Sequence, residues 1–250
     1  MSKLIVANWK MNPQSPVEAE FIFDGIAKVS KNVKDIDIVI CPPFPFLFLS
    51  KKIKNKNISL GAQNLFYETE GAYTGQVSSK MLSGLNAKYV IVGHSESRKQ
   101  GDTNEIINKK IISSLKGKIS PILCIGEKER DSHGEYLSFL KKQIHECLAL
   151  ISKSQLKSII IAYEPIWAIG ANATREATCE EFIEIRIFIK RVLSDLYGIN
   201  KANQMNIIYG GSVHPDNAKT FIFDGGAGGL LVGRDSLIPK KFGEILGAIK

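Results

Sequence analysis

The chain has 250 residues, 44% of them hydrophobic and 23% charged, with a formal net charge of +8. That is enough chain to bury a large core, and no stretch reaches the roughly 18 uninterrupted apolar residues of a membrane span, so no membrane partner is expected. The lysines are dispersed and no basic motif is interleaved with aromatics, which argues against a nucleic-acid partner and for a solvated surface whose excess charge helps attract anions.

The opening MSKLIVANWK runs straight into a strand pattern instead of a secretory signal, so a cytoplasmic location is expected. Eight short apolar or β-rich runs follow in order, at residues 4–7, 36–41, 58–63, 88–93, 119–125, 158–163, 205–209 and 228–232. Helical patterns lie between them. Ser15, Pro16 and Glu18 supply an N-cap, a first-turn proline and a capping-box partner, after which Phe21, Ile22, Ile26 and Val29 keep helix spacing. Thr178 and Glu181 repeat the box before Phe182, Ile185, Ile189, Val192 and Leu196, and Gly198 supplies a stop; another helix ends at Gly117.

Strand and helix alternating eight times, with no Ser/Pro-rich linker, predict an α/β fold: one (β/α)8 barrel domain over residues 1–250 of eight parallel strands, each followed by a helix. The rival is a doubly wound open sheet, although no GxGxxG follows the first run. Cys41, Cys124, Cys147 and Cys179 form neither a CxxC pair nor a metal-ligand spacing with histidine, so reduced thiols and no metal are expected.

Three titratable residues end apolar runs, where burial without a partner is costly: Lys10 after the first, His94 after the fourth and Glu164 after the sixth. In a barrel the C-terminal strand ends open onto one face, so Asn8, Lys10, His94 and Glu164 would converge there. Taken singly, each has an ordinary loop or surface reading. YGGSV at 209–213 and LLVGRDS at 230–236 place glycines after the last two strands, where backbone amides and helix starts form a pocket for an anion such as phosphate. WAIGANAT at 167–174 mixes a bulky anchor with small residues, as a hinged lid needs, though an ordinary connecting loop has the same composition.

Through ANWKMN, GAQN, YVIVGHSE, CIGE, AYEPIWAIG, YGGSV and LVGR, in this order along nearly the whole chain, the sequence resembles the triosephosphate isomerases. The resemblance implies a (β/α)8 fold known by that family's name as the TIM barrel. It implies interconversion of dihydroxyacetone phosphate and glyceraldehyde 3-phosphate through an enediolate, in glycolysis and gluconeogenesis, without metal or organic cofactor. It further implies that Glu164 is the base, that His94 and Lys10 stabilise the enediolate, and that Asn8 binds substrate, with Glu96 supporting the site. Gly170, Ser212, Gly233 and Arg234 match the positions whose amides hold the phosphate, and Ile169 and Leu231 match an apolar clamp over the base. It also implies a homodimer whose loop at 71–76 enters the neighbouring subunit. Several positions depart from the family pattern: Asn172 and Ala173 in the lid, Arg234 for a glycine, Gly228 for an aspartate, Ser97 for an arginine, and Gln76 for a glutamate that would face the partner's arginine at the position of Arg98. The nearest alternative is an aldolase-like barrel using Lys10 as a Schiff-base nucleophile; a scaffold without activity is the other.

Overall fold

A computed structural model describes residues 2–31, 33–170, 173 and 175–250. Eight strands, β1 (Lys3–Asn8), β2 (Ile36–Cys41), β3 (Ile58–Ala62), β4 (Tyr89–Val92), β5 (Ser120–Ile125), β6 (Ile160–Tyr163), β7 (Asn206–Tyr209) and β8 (Gly229–Val232), pair in sequence order and close as β8 joins β1. Every pairing is parallel. The open-sheet alternative is therefore wrong, and all eight runs read from the sequence are strands.

The strands are mostly apolar because both of their faces are covered. Leu4 and Val6 point inward with Val39, Ile122, Ala162 and Leu231, filling the barrel, whereas the alternate residues Ile5 and Ala7 face the helix layer with Ile38 and Ile40. Each large side chain buried this way contributes roughly 1.5–3 kcal/mol.

Among the described residues, nine α-helices run outside: α1 (Pro16–Val29), α2 (Ser79–Gly84), α3 (Ser95–Lys99), α4 (Asn104–Lys116), α5 (Glu135–Cys147), α6 (Cys179–Tyr197), α7 (Ile199–Gln204), α8 (Pro215–Phe223) and α9 (Pro239–Ala248). The crossovers after β4 and β6 hold two helices each. After β2 the chain makes a 3-10 helix, Phe44–Lys52, instead of an α-helix; Pro43 and Pro45 remove two amide donors at its start.

At α1 the sequence expectation holds in part. The Ser15 hydroxyl caps the Glu18 amide, but the Glu18 carboxylate reaches past Ser15 to accept from the Gln14 amide. The buried stripe takes Phe23 rather than Phe21, which is exposed, because Ala19, Phe23 and Ile26 share the face toward the sheet. At α6 both halves of the box form, and Gly198 ends the helix at φ +91°.

Candidate active site

The C-terminal ends of the strands form one mouth, and the chain turns sharply to aim side chains into it. Lys10, two residues beyond β1, adopts φ +53°, uncommon for a residue with a Cβ. Its amide donates to Asn8 Oδ1 at 3.1 Å, and the Gln63 side chain donates to the Lys10 carbonyl at 2.8 Å and to the Cys41 carbonyl at 2.9 Å. These bonds hold the turn, so the Lys10 ammonium projects to Glu96, 2.9 Å away. Burial pulls the Glu96 carboxyl upward, but the hydrogen bond from Lys10, with the positive charge behind it, prevails and leaves it below its ordinary value.

Gly93, at φ +71°, lets β4 turn directly into α3, and His94 becomes the N-cap of that helix. The Glu96 amide donates to His94 Nδ1 at 3.2 Å. A ring nitrogen that accepts a hydrogen bond has no proton, so the imidazole proton sits on Nε2. Nε2 lies 2.8 Å from Glu164 Oε1, while the Ser95 amide donates to Glu164 Oε2 at 3.0 Å. Glu164 is only 3% exposed, and these two donors satisfy both its oxygens.

Two cavities meet at Lys10. One of about 320 Å³ is bordered by Asn8, Lys10, Gln63, His94 and Glu96. The other, of about 710 Å³, is bordered by Lys10, Gly170, Ser212, Gly233 and Arg234. Every residue read as catalytic or substrate-binding thus borders one of these spaces or, as Glu164, is hydrogen-bonded to a residue that does; of the expected clamp, Ile169 borders the larger space, whereas Leu231 is packed inside the barrel and borders neither. Gly211, on the border of the larger cavity, packs against Tyr209: a Cβ there would lie 2.1 Å from the tyrosine hydroxyl, so glycine leaves room for that ring.

The matching family model, described as triosephosphate isomerase, covers residues 3–249. The chain is 42% identical over 247 residues to the triosephosphate isomerase of Dictyoglomus thermophilum, covering 98% of each chain. It is 41% identical to that of Aquifex aeolicus, covering 98% of this chain and 99% of the relative, and 38% identical to that of Caldanaerobacter subterraneus subsp. tengcongensis, covering 97% and 98%. The chain belongs to the triosephosphate isomerase family. Its reaction is the interconversion of dihydroxyacetone phosphate and glyceraldehyde 3-phosphate.

Against that reaction, four residues stand out that the motifs contain without a role assigned to them. Ser95 offers its amide to Glu164, and Gln63 fixes the Lys10 turn. Gly126 lies so close to β6 that a Cβ would fall 1.8 Å from the Glu164 carbonyl oxygen. Glu127, 1% exposed, accepts from the Tyr163 hydroxyl at 2.7 Å and the Trp167 indole at 2.8 Å, tying the start of the expected lid to the barrel. Gln63 and Glu127 belong to GAQN and CIGE, so the signal was present as motif without a physical role attached. Of the lid departures, Asn172 lies outside the described residues, as do 171 and 174; Ala173 is half-buried and its amide reaches the Gly170 carbonyl at 3.4 Å.

Proposed function

We propose that Glu164 is the base of the isomerisation, with His94 and Lys10 as the groups that stabilise the enediolate. The carboxylate takes a proton from the hydroxymethyl carbon of dihydroxyacetone phosphate, leaving an enediolate, and returns it to the neighbouring carbon to give the aldehyde. His94 donates from Nε2 to the two substrate oxygens in turn, Asn8 adds a hydrogen bond, and the Lys10 ammonium offsets the developing charge. The amides of Gly170, Ser212, Gly233 and Arg234 grip the phosphate, which fixes the reacting carbons against the base.

The observation that carries this reading is the His94 ring, whose Nδ1 is fixed by the Glu96 amide and whose Nε2 faces Glu164 at 2.8 Å beside the Lys10 ammonium. Substrate oxygens entering there take over the Nε2 proton, so Glu164 must leave both His94 and Ser95 to reach carbon. Lid closure over the mouth, for which this family is the standard example, supplies that change. An aldolase role for Lys10 loses support: a Schiff-base lysine wants an apolar pocket, whereas this side chain is 33% exposed and ion-paired with Glu96.

The same reading includes one domain over residues 1–250, a homodimer and a cytoplasmic setting. It gains from the continuous barrel and from the absence of a membrane-crossing helix among the described residues. The test is a coupled isomerase assay with solvent-deuterium exchange into dihydroxyacetone phosphate. Glu164→Gln should lower kcat by about 10²–10⁴-fold and suppress exchange in parallel, with KM little changed. Exchange at the wild-type rate in that variant rejects Glu164 as the base.

A further inference from the structure

At the opposite end of the barrel, remote from Lys10, His94 and Glu164, the starts of β1 and β7 and the approach to β8 enclose a cavity of about 130 Å³. Lys3, Arg186, Lys190, Asn206, Gly226 and Gly228 border it, and no aspartate or glutamate does. None of the three cations forms an ion pair among the described residues. Asp37, on the adjoining β2, accepts from the Ser2 hydroxyl.

The polar groups around this space are under-used. Arg186 Nε is buried without a partner, and its guanidinium lies flat against Gly226, where a Cβ would come within 3.3 Å of Nη2. Lys3 Nζ spends one hydrogen on the Ala227 carbonyl at 3.1 Å. Lys190 is pushed below its ordinary value by burial and by the neighbouring Arg186 charge. Asn206 Oδ1, also buried and unpartnered, stands over Gly228, at 1.8 Å from where a Cβ would be. Three like charges around a small space, with a guanidinium N–H left unbonded, cost free energy that a small oxyanion would recover.

We propose that this cavity is an anion site that takes inorganic phosphate. Its volume, room for roughly four waters, admits one tetrahedral oxyanion and little more. Arg186 offers a planar fork to two oxygens, and Lys3 and Lys190 offer point charges. Gly226 and Gly228 keep the walls free of side chains that would fill the space. Because the site gathers the N-terminal strand ends, its occupancy stabilises the barrel without touching the chemistry at the mouth.

Amide-resolved NMR of the intact protein titrated with inorganic phosphate tests the site directly. The Gly226 and Gly228 amides should shift saturably in the wild type and with a midpoint about tenfold weaker in Arg186→Gln and in Lys190→Gln, the loss of one charge-assisted contact. Gly211 and Gly233, at the mouth, report the substrate site separately and should titrate alike in all three proteins, with isomerase turnover unchanged. A parallel titration with glycerol 3-phosphate identifies the source: saturable shifts at Gly226 and Gly228 there would extend the site to phosphomonoesters, and their absence restricts it to free phosphate. If Gly226 and Gly228 stay still in the wild type while Gly211 and Gly233 respond, or if both variants bind there as tightly as the wild type, the site does not exist.

Discussion

Glu164 is positioned by contacts along its whole length, and its backbone is as constrained as its carboxylate. The Glu164 amide donates to the Ile125 carbonyl at 2.8 Å across β5 and β6, and Gly126 packs against the Glu164 carbonyl so closely that no Cβ fits. A methyl group at 126 must push the two strand ends apart, because the atom it meets is backbone and cannot rotate away. Displacing a reacting group by about 1 Å can cost on the order of 10²-fold in rate. Gly126→Ala should therefore lose activity on that scale while keeping the barrel's circular dichroism; wild-type turnover in this variant would show that the strand ends tolerate the shift.

Helix ends are where local chemistry is most readable and also where it misleads. The Thr178–Glu181 box at the start of α6 is legible because both partners lie within one turn, and the structure makes both bonds. Arg175 adds to it, pairing with both Glu181 oxygens at 2.6 and 2.9 Å while its guanidinium lies 4.4 Å from the centre of the Trp167 ring. Removing the cap in Thr178→Ala should cost about 1 kcal/mol. In a chain of this size that is a fall in Tm of roughly 2–4 °C, read by calorimetry; an unchanged Tm would mean that Arg175 and Glu181 hold the helix start alone.

The start of α5 is the contrasting case. Gly134 sits at its N-cap with no side chain to offer, and Asp131, outside the helix, accepts from the amides of Glu135, Tyr136 and His133 at 2.8–2.9 Å. Those amides, that of Glu135 foremost, lower the Asp131 carboxyl from 3.8 to about 2. Because the folded-state value is depressed, the stabilisation is complete above about pH 4 and disappears as pH falls toward 2. Asp131→Asn should flatten the acid limb of the unfolding profile in that window; a limb as steep as the wild type's would show that the carboxylate does not contribute.

Strand existence was open to sequence reasoning because two covered faces leave continuous apolar runs, and Lys10, His94 and Glu164 were visible as charges that interrupt them. Side-chain aim was not. The φ of +53° at Lys10, the Ser95 amide on Glu164 and the reach of Glu18 past Ser15 depend on backbone directions that no spacing rule encodes. The 3-10 helix after β2 was equally hidden, since FPFLFLSKK carries enough apolar residues for a helix and only its prolines hint at the tighter turn.

At the scale of the whole molecule, the loop at 71–76 stands exposed beside the mouth-bearing face of the barrel, and its shape comes from within. The Tyr73 ring packs tilted against Phe66, centroids 4.7 Å apart, and its carbonyl accepts from the Gln76 amide at 3.1 Å, yet 45% of Tyr73 remains exposed, with Met81 bordering the same hollow at 60%. Met11, next to Lys10, is 84% exposed. In the proposed dimer these surfaces lose water together. Arg98, the expected ionic partner of position 76, donates from all three nitrogens to the Gly93 and Cys124 carbonyls and to Asn104, which holds its guanidinium in place and leaves its charge and remaining N–H hydrogens for a glutamate at 76. In the proposed dimer the exposed aromatic of this loop is the expected anchor. Tyr73→Asp should weaken association by about 2 kcal/mol, some thirtyfold in the dissociation constant, since a buried interface tyrosine is a frequent anchor and a carboxylate there is desolvated without a partner. Sedimentation across a dilution series measures this, and activity per chain should fall with the dimer fraction because Met11 and Lys10 then face solvent. Equal dissociation of Tyr73→Asp and wild type would remove this loop from the interface.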